Sequence, residues 1–267
     1  MKKISVFLVS CVVFCVFGAV NIDHKQIKKA NREHNSYRIL NSAPVKYTVD
    51  YNITDRKGKK TVGDPSSSST GIGLNNGWYS SGTLRLYLDG KPQMTPADIR
   101  CEQDTLTFTW PGAVLKMVFP EGSTQIFCHV TAPGVKRVKL GFLGMPGFVA
   151  KRKTPQKSYV STQKVNHFLN DGKYVPAGES WFMLYDGEFN KRGIPVVILD
   201  PAEVKSGMVT GSARSLLISA SFEMKKNDCR FVLMGIPTSH MDAEVLYEDL
   251  KANGEKYLRE LRNFQFK

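Results

Sequence analysis

Short segments in which apolar and polar residues alternate, each closed by a turn signal, recur along most of this chain. That pattern restricts the fold more than any other feature. In "TLRLYLDGK" Leu84, Leu86 and Leu88 fall on one face, and Asp89-Gly90 supplies the turn. "TLTFTW" repeats the pattern with Leu106, Phe108 and Trp110, and Pro111-Gly112 turns the chain into "AVLKMVFPEG". "VKYTVDYNITD" places Val45, Tyr47, Val49 and Tyr51 against polar partners. "TQIFCHVTAPG", "VKRVKLGFLG", "KSYVSTQKVNHF", "ESWFMLYD", "IPVVILDP", "RSLLISASFEM" and "CRFVLMGIP" continue the series, for about eleven strands in all. Alternation of this kind buries one face and wets the other, as antiparallel sheets allow. The expected fold is therefore mainly β, a large antiparallel β-sandwich over residues 44–238.

The chain ends differently. In "SHMDAEVLYEDLKANGEKYLRELRNF" Leu246, Leu250, Tyr257 and Leu261 recur at helical spacing with charges opposite, and Ser239 with Asp242 forms a capping box. Residues 239–267 are expected to be a helix packed on the sandwich. Gly254 weakens such a helix by about 1 kcal/mol.

The opening "MKKISVFLVSCVVFCVFGAV" has two lysines, an apolar run and small residues at its end. This is the layout of a secretory signal peptide, expected over residues 1–19. It predicts an exported protein, whether periplasmic, cell-surface or extracellular, with no membrane span once the signal is cleaved. Residues 20–43 are polar with weak periodicity and read as an N-terminal tail or short helix, and "RKGKKTVGDPSSSSTG" reads as a loop. Cys101, Cys128 and Cys229 remain after the signal, an odd count with no zinc-site spacing, so no metal is expected.

The formal charge is +13, and the stretch Lys136 to Lys157 holds seven basic residues and no acid. Such a surface suits an anionic polysaccharide or an acidic envelope, or is simply a solvated exterior. Nucleic acid is disfavoured by the export signal and by the lack of any nucleic-acid-binding motif.

No motif specifies a reaction, so enzymatic activity stays undecided, and no cofactor is expected. "GIGLNNG" has one residue too many for a dinucleotide fingerprint and lacks the flanking strand and helix. "STQK" (Ser161, Lys164) sits in strand sequence, where the two side chains do not face one another. What remains is "KVNHFLNDGKYVPAGESWFMLYDGEFNKRG" together with "NNGWYSSG". Aromatic faces match the C–H face of a pyranose, and planar polar groups match its hydroxyls. Trp78, Tyr79, Asn166, Trp181 and Asp186 are therefore the candidate ligand-binding residues. His167 and Tyr185 are the candidate catalytic residues, with Glu179, Asp186 or Glu188 as carboxylate partners for His167, or Tyr159 as an alternative base. Both faces of "ESWFMLYD" are apolar, which makes the strand central and leaves Trp181 and Tyr185 equally readable as core.

"GWYSSGTLRLYLDGK" followed by "TLTFTWPGAVLKMVF" resembles the opening of galactose-mutarotase-like supersandwich domains. "VPAGESWFMLYDGEFNKRGIPVVILDP" is similar to exported sandwich proteins of carbohydrate-handling systems. The resemblance spans residues 75–235 in style and implies a sugar-facing concave sheet. The epimerase set of two His and a Glu has no counterpart here, since His129 and His167 stand in other contexts. Three readings follow: an exported carbohydrate-binding sandwich, a polysaccharide lyase or sugar epimerase on the same scaffold, or an envelope assembly protein using a basic face.

Overall fold

The computed structural model describes residues 20–29, 32–43, 47–56, 59–62, 73–75, 84–93, 96–144, 158–169, 172–186, 196–211, 218–234 and 243–266. The described strands are, in chain order, β1 (Asn21–Lys29), β2 (Arg32–Leu40), β3 (Thr48–Arg56), β4 (Lys59–Val62) and β5 (Gly73–Asn75). Then come β6 (Leu84–Leu88), β7 (Lys91–Pro92), β8 (Asp98–Glu102), β9 (Thr105–Trp110), β10 (Ala113–Val118), β11 (Gln125–Thr131) and β12 (Val138–Gly144). The remainder are β13 (Ser158–Ser161), β14 (Asn166–Phe168), β15 (Lys173–Tyr174), β16 (Trp181–Asp186), β17 (Val196–Leu199), β18 (Val204–Gly211), β19 (Ile218–Met224) and β20 (Asp228–Met234). One helix, α1 (Ala243–Asn263), follows.

The strands form three antiparallel sheets. The largest has nine strands in the order β14-β13-β16-β17-β20-β11-β10-β9-β8, and a six-stranded sheet runs β15-β18-β19-β12-β6-β7. The third runs β1-β2-β3-β4, with β5 also paired to β3. One core cluster joins all three: Phe108, Leu115 and Phe231 from the nine-stranded sheet, Leu86, Phe142 and Phe222 from the six-stranded sheet, and Ile39 and Val49 from the third. The β-sandwich with a C-terminal helix read from the sequence is the observed architecture.

Alternation explains how the layers stack. In β16, Phe182 and Leu184 enter this core, while Trp181 and Met183 enter a second cluster beneath the helix. Residues of β17 and β20 divide in the same way: Val197 and Leu233 face the sandwich, Val196 and Val232 the helix. Strands buried on both faces read as continuous apolar runs, which is why "WFML" and "VVIL" lack a polar side. β16 lies between β13 and β17, the central position its composition demands. Each fully buried Val, Leu or Phe stabilises the stack by about 1.5–3 kcal/mol.

The β6–β7 hairpin closes as its Asp-Gly pair requires. Asp89 and Gly90 both have positive φ, 49° and 82°, and Leu88 pairs with Lys91. The Asp89 carboxylate also accepts the backbone N–H groups of Lys136 and Arg137 at 3.1 and 2.9 Å, tying this turn to the entry of β12.

Residues 20–43 correct the sequence reading. They form the β1–β2 hairpin rather than a tail or short helix. Val20, Ile22, Tyr37 and Ile39 alternate inward and join the main core. Further along the same face the residues are polar and bond one another, Asn35 buried and His24 and Gln26 exposed beside it. Asn35, only 4% exposed, receives Gln26 Nε2 at Oδ1 (3.2 Å) and donates to Glu33 Oε1 (2.9 Å), while His24 Nε2 lies 3.0 Å from its Oδ1. Likewise, part of the stretch read as a loop, Lys59–Val62, is strand β4 paired with β3.

The helix buries Leu246, Leu250, Leu258 and Leu261 on the nine-stranded sheet, with Tyr257 partly buried beside them. Its proposed capping box lies outside the described residues. Near its end Arg262 donates two hydrogen bonds to Asp200, at 2.7 and 2.8 Å. That guanidinium holds the Asp200 carboxyl below the usual carboxylate range. A depressed native value gives stability that is present above the ordinary value, about 4, and lost as pH falls through the native one. Arg262→Met is therefore expected to lower stability at neutral pH, and urea unfolding should show the gap from wild type closing below about pH 4.

Cys101 is exposed, Cys128 and Cys229 are buried, and all three are free thiols. Burial raises all three thiols, Cys229 to about 12.

Candidate functional site

The sequence candidates fall in three different places. Trp78 and Tyr79 lie outside the described residues. Trp181 is 1% exposed and stands edge-on to Tyr247 with ring centroids 6.0 Å apart. Gly254 of α1 approaches the same indole so closely that a Cβ there would lie 2.5 Å from Nε1. Trp181 is thus the anchor of the helix, with no face turned to solvent. Tyr185 and Asp186 pair through the backbone with Tyr159 and Ser158, and their side chains lie outside the described part of the structure. Tyr159 packs against the cluster beneath the helix.

Asn166 and His167 are neighbours in β14 and point to opposite faces. Asn166 pairs with Ser161 and accepts its hydroxyl at Oδ1 (2.7 Å). His167 pairs with Val160, a core residue of the sandwich interior, and turns toward that side. The structure therefore separates the two residues that sequence adjacency brings together.

His167 instead meets Tyr174. β14 belongs to the nine-stranded sheet and β15 to the six-stranded one, so the segment between them crosses from layer to layer at one end of the sandwich. The two rings sit 6.0 Å apart, tilted by 36°. Behind them Glu179, 3% exposed, accepts the Tyr174 hydroxyl at Oε1 and the Ala177 N–H at Oε2. Lys164 donates its Nζ to the Ala177 carbonyl. The β13–β14 turn that carries Lys164 is held by Thr162, whose hydroxyl accepts the N–H groups of Lys164 and Val165, both at 3.2 Å.

This rim has a definite chemistry. Burial raises the Tyr174 phenol to about 12, and its hydrogen bond to Glu179 adds to the shift. Tyr174 is a proton donor at neutral pH and not a base. His167 and Lys164 are both exposed. The rim thus offers the His167 imidazole, the Tyr174 ring fixed by Glu179, and the Lys164 side chain. Glu179 is legible in the sequence as a partner for His167; Tyr174 is not, because residues on different sheets share no spacing rule. Of the basic stretch, Lys136, Arg137 and Lys139 are described, and residues 145–157 lie outside the description.

Among the described residues no group of three or more His, Cys, Asp or Glu could hold a metal ion, and no helix is long and apolar enough to cross a membrane. No family model matches the chain, and no curated protein is similar to it.

Proposed function

We propose that this is an exported β-sandwich protein that binds carbohydrate at the end of the sandwich where β14 meets β15. The observation that carries the reading is the convergence of His167 and Tyr174 from two sheets, 6.0 Å apart, over the Glu179 carboxylate. Tilted rings present C–H-matching faces, and the imidazole and ammonium supply hydroxyl contacts. The signal-like opening and the likeness of residues 75–235 to supersandwich domains support the same reading, and the net charge of +13 favours an anionic glycan. Binding is better supported than lyase or epimerase chemistry, because Asn166 faces away from His167 and leaves it without a planar polar partner on that face among the described residues.

A glycan array carrying neutral and uronate-containing oligosaccharides tests this directly. Wild-type protein should bind a subset of the acidic glycans. His167→Ala should weaken that binding about tenfold, the scale of one lost ligand contact of roughly 1.4 kcal/mol. Wild-type protein that binds no glycan would end the proposal, leaving the assembly-protein reading in its place.

A further inference from the structure

A cavity lies away from that rim, where the β17–β18 turn, the β19–β20 turn and the last turn of α1 converge. It measures about 330 Å³. Asp200, Glu203, Lys226, Asp228, Arg230 and Arg262 line it, and Leu261 contributes the apolar part of the wall. Three acids and three bases share one small cavity, so its lining has no net charge.

Most of these charges are already engaged. Asp200 holds Arg262 through two hydrogen bonds. Asp228 lies 2.9 Å from His129 Nε2. Arg230 donates to the Phe264 carbonyl at 3.5 Å and lies 5.5 Å from the centre of the Phe266 ring. Glu203 and Lys226 are the exceptions: neither side chain has a hydrogen-bond or ion-pair partner among the described residues. Backbone bonds nevertheless fix where they stand. The Glu203 N–H bonds the Asp200 carbonyl at 2.9 Å, and its own carbonyl accepts the Lys225 N–H at 2.8 Å, which sets the residue beside Lys226 against Glu203.

We infer that this cavity binds a small zwitterion of the α-amino acid class, its ammonium on Glu203 and its carboxylate on Lys226. A lining of zero net charge, with one carboxylate and one ammonium that have no hydrogen-bond partner among the described residues, suits a ligand bearing both signs. A singly charged ligand would leave one of the two without a partner. The volume is at the lower end of the range for small-molecule sites, which begins near 300 Å³.

The test is an NMR titration of the full chain with L-alanine, with N-acetyl-L-alanine and L-alaninamide as probes lacking one charge each. L-alanine should move the amide signals of residues 200–203, 225–230 and 261–263 saturably, with a Kd of about 1 mM. Each singly charged probe should bind at least about tenfold more weakly. Glu203→Gln should cost L-alanine about tenfold while leaving N-acetyl-L-alanine unaffected, and Lys226→Met should show the mirror pattern with L-alaninamide. Both side chains reach solvent, so neither substitution threatens the fold. Absence of a saturable shift, equal response to all three probes, or indifference to both substitutions would overturn the inference.

Discussion

Replacing Trp181 by alanine is expected to destabilise the protein by about 3–5 kcal/mol, the cost of emptying a large aromatic site in a packed interior. The indole is the largest of the fully buried side chains and stands between β16 and the helix. The more discriminating result concerns Gly254. Alanine in place of a helical glycine ordinarily gains about 1 kcal/mol. Here the new Cβ would lie 2.5 and 2.6 Å from Nε1 and Cδ1 of Trp181, and overpacking of that kind costs about 1–3 kcal/mol. Gly254→Ala should therefore destabilise the wild-type protein yet stabilise the Trp181→Ala variant. Urea unfolding of the four members of this cycle measures the change of sign; a Gly254→Ala protein more stable than wild type would show that the indole does not occupy this contact.

Glu179→Ala should cost about 2–3 kcal/mol, because it leaves the Tyr174 hydroxyl and the Ala177 N–H without their acceptor in a buried place. Glu179→Gln keeps an acceptor oxygen and should cost about half as much. The same pair predicts an alkaline signature. The native phenol titrates above its ordinary value, so its contribution is complete below about pH 10 and is lost as pH rises toward the native value of about 12. Ultraviolet titration of Glu179→Gln should show one phenol ionising at lower pH than in wild type. An unchanged titration curve would place the Tyr174 proton elsewhere.

These residues also show where sequence reasoning reaches its limit. β6, β9 and β10 are legible because their inward positions are Leu, Phe, Trp and Met and their outward ones are not. β16 and β17 are legible as central because neither has a polar side. The β1–β2 hairpin is not, since the face that carries its core residues continues with His24, Gln26, Glu33 and Asn35, polar groups that pair only once the two strands lie together. A periodicity based on hydrophobicity cannot register polar residues that satisfy one another. Trp181 and His167 were both visible as notable residues; which side of the sheet each occupies depends on register, and a shift of one residue exchanges the faces. The contact of His167 with Tyr174 requires two sheets to be in place, and nothing local encodes it.

The position of β20 has a consequence for how the molecule comes to exist. The nine-stranded sheet is made of two runs, β8 to β11 on one side and β13, β14, β16 and β17 on the other, and β20 alone bridges them. It is also the final described strand before α1. A ribosome must deliver nearly the whole polypeptide before the halves can be joined, so the nascent chain stays open for most of its synthesis. Closure of the nine-stranded sheet is therefore a late event that follows the synthesis of almost every residue it joins.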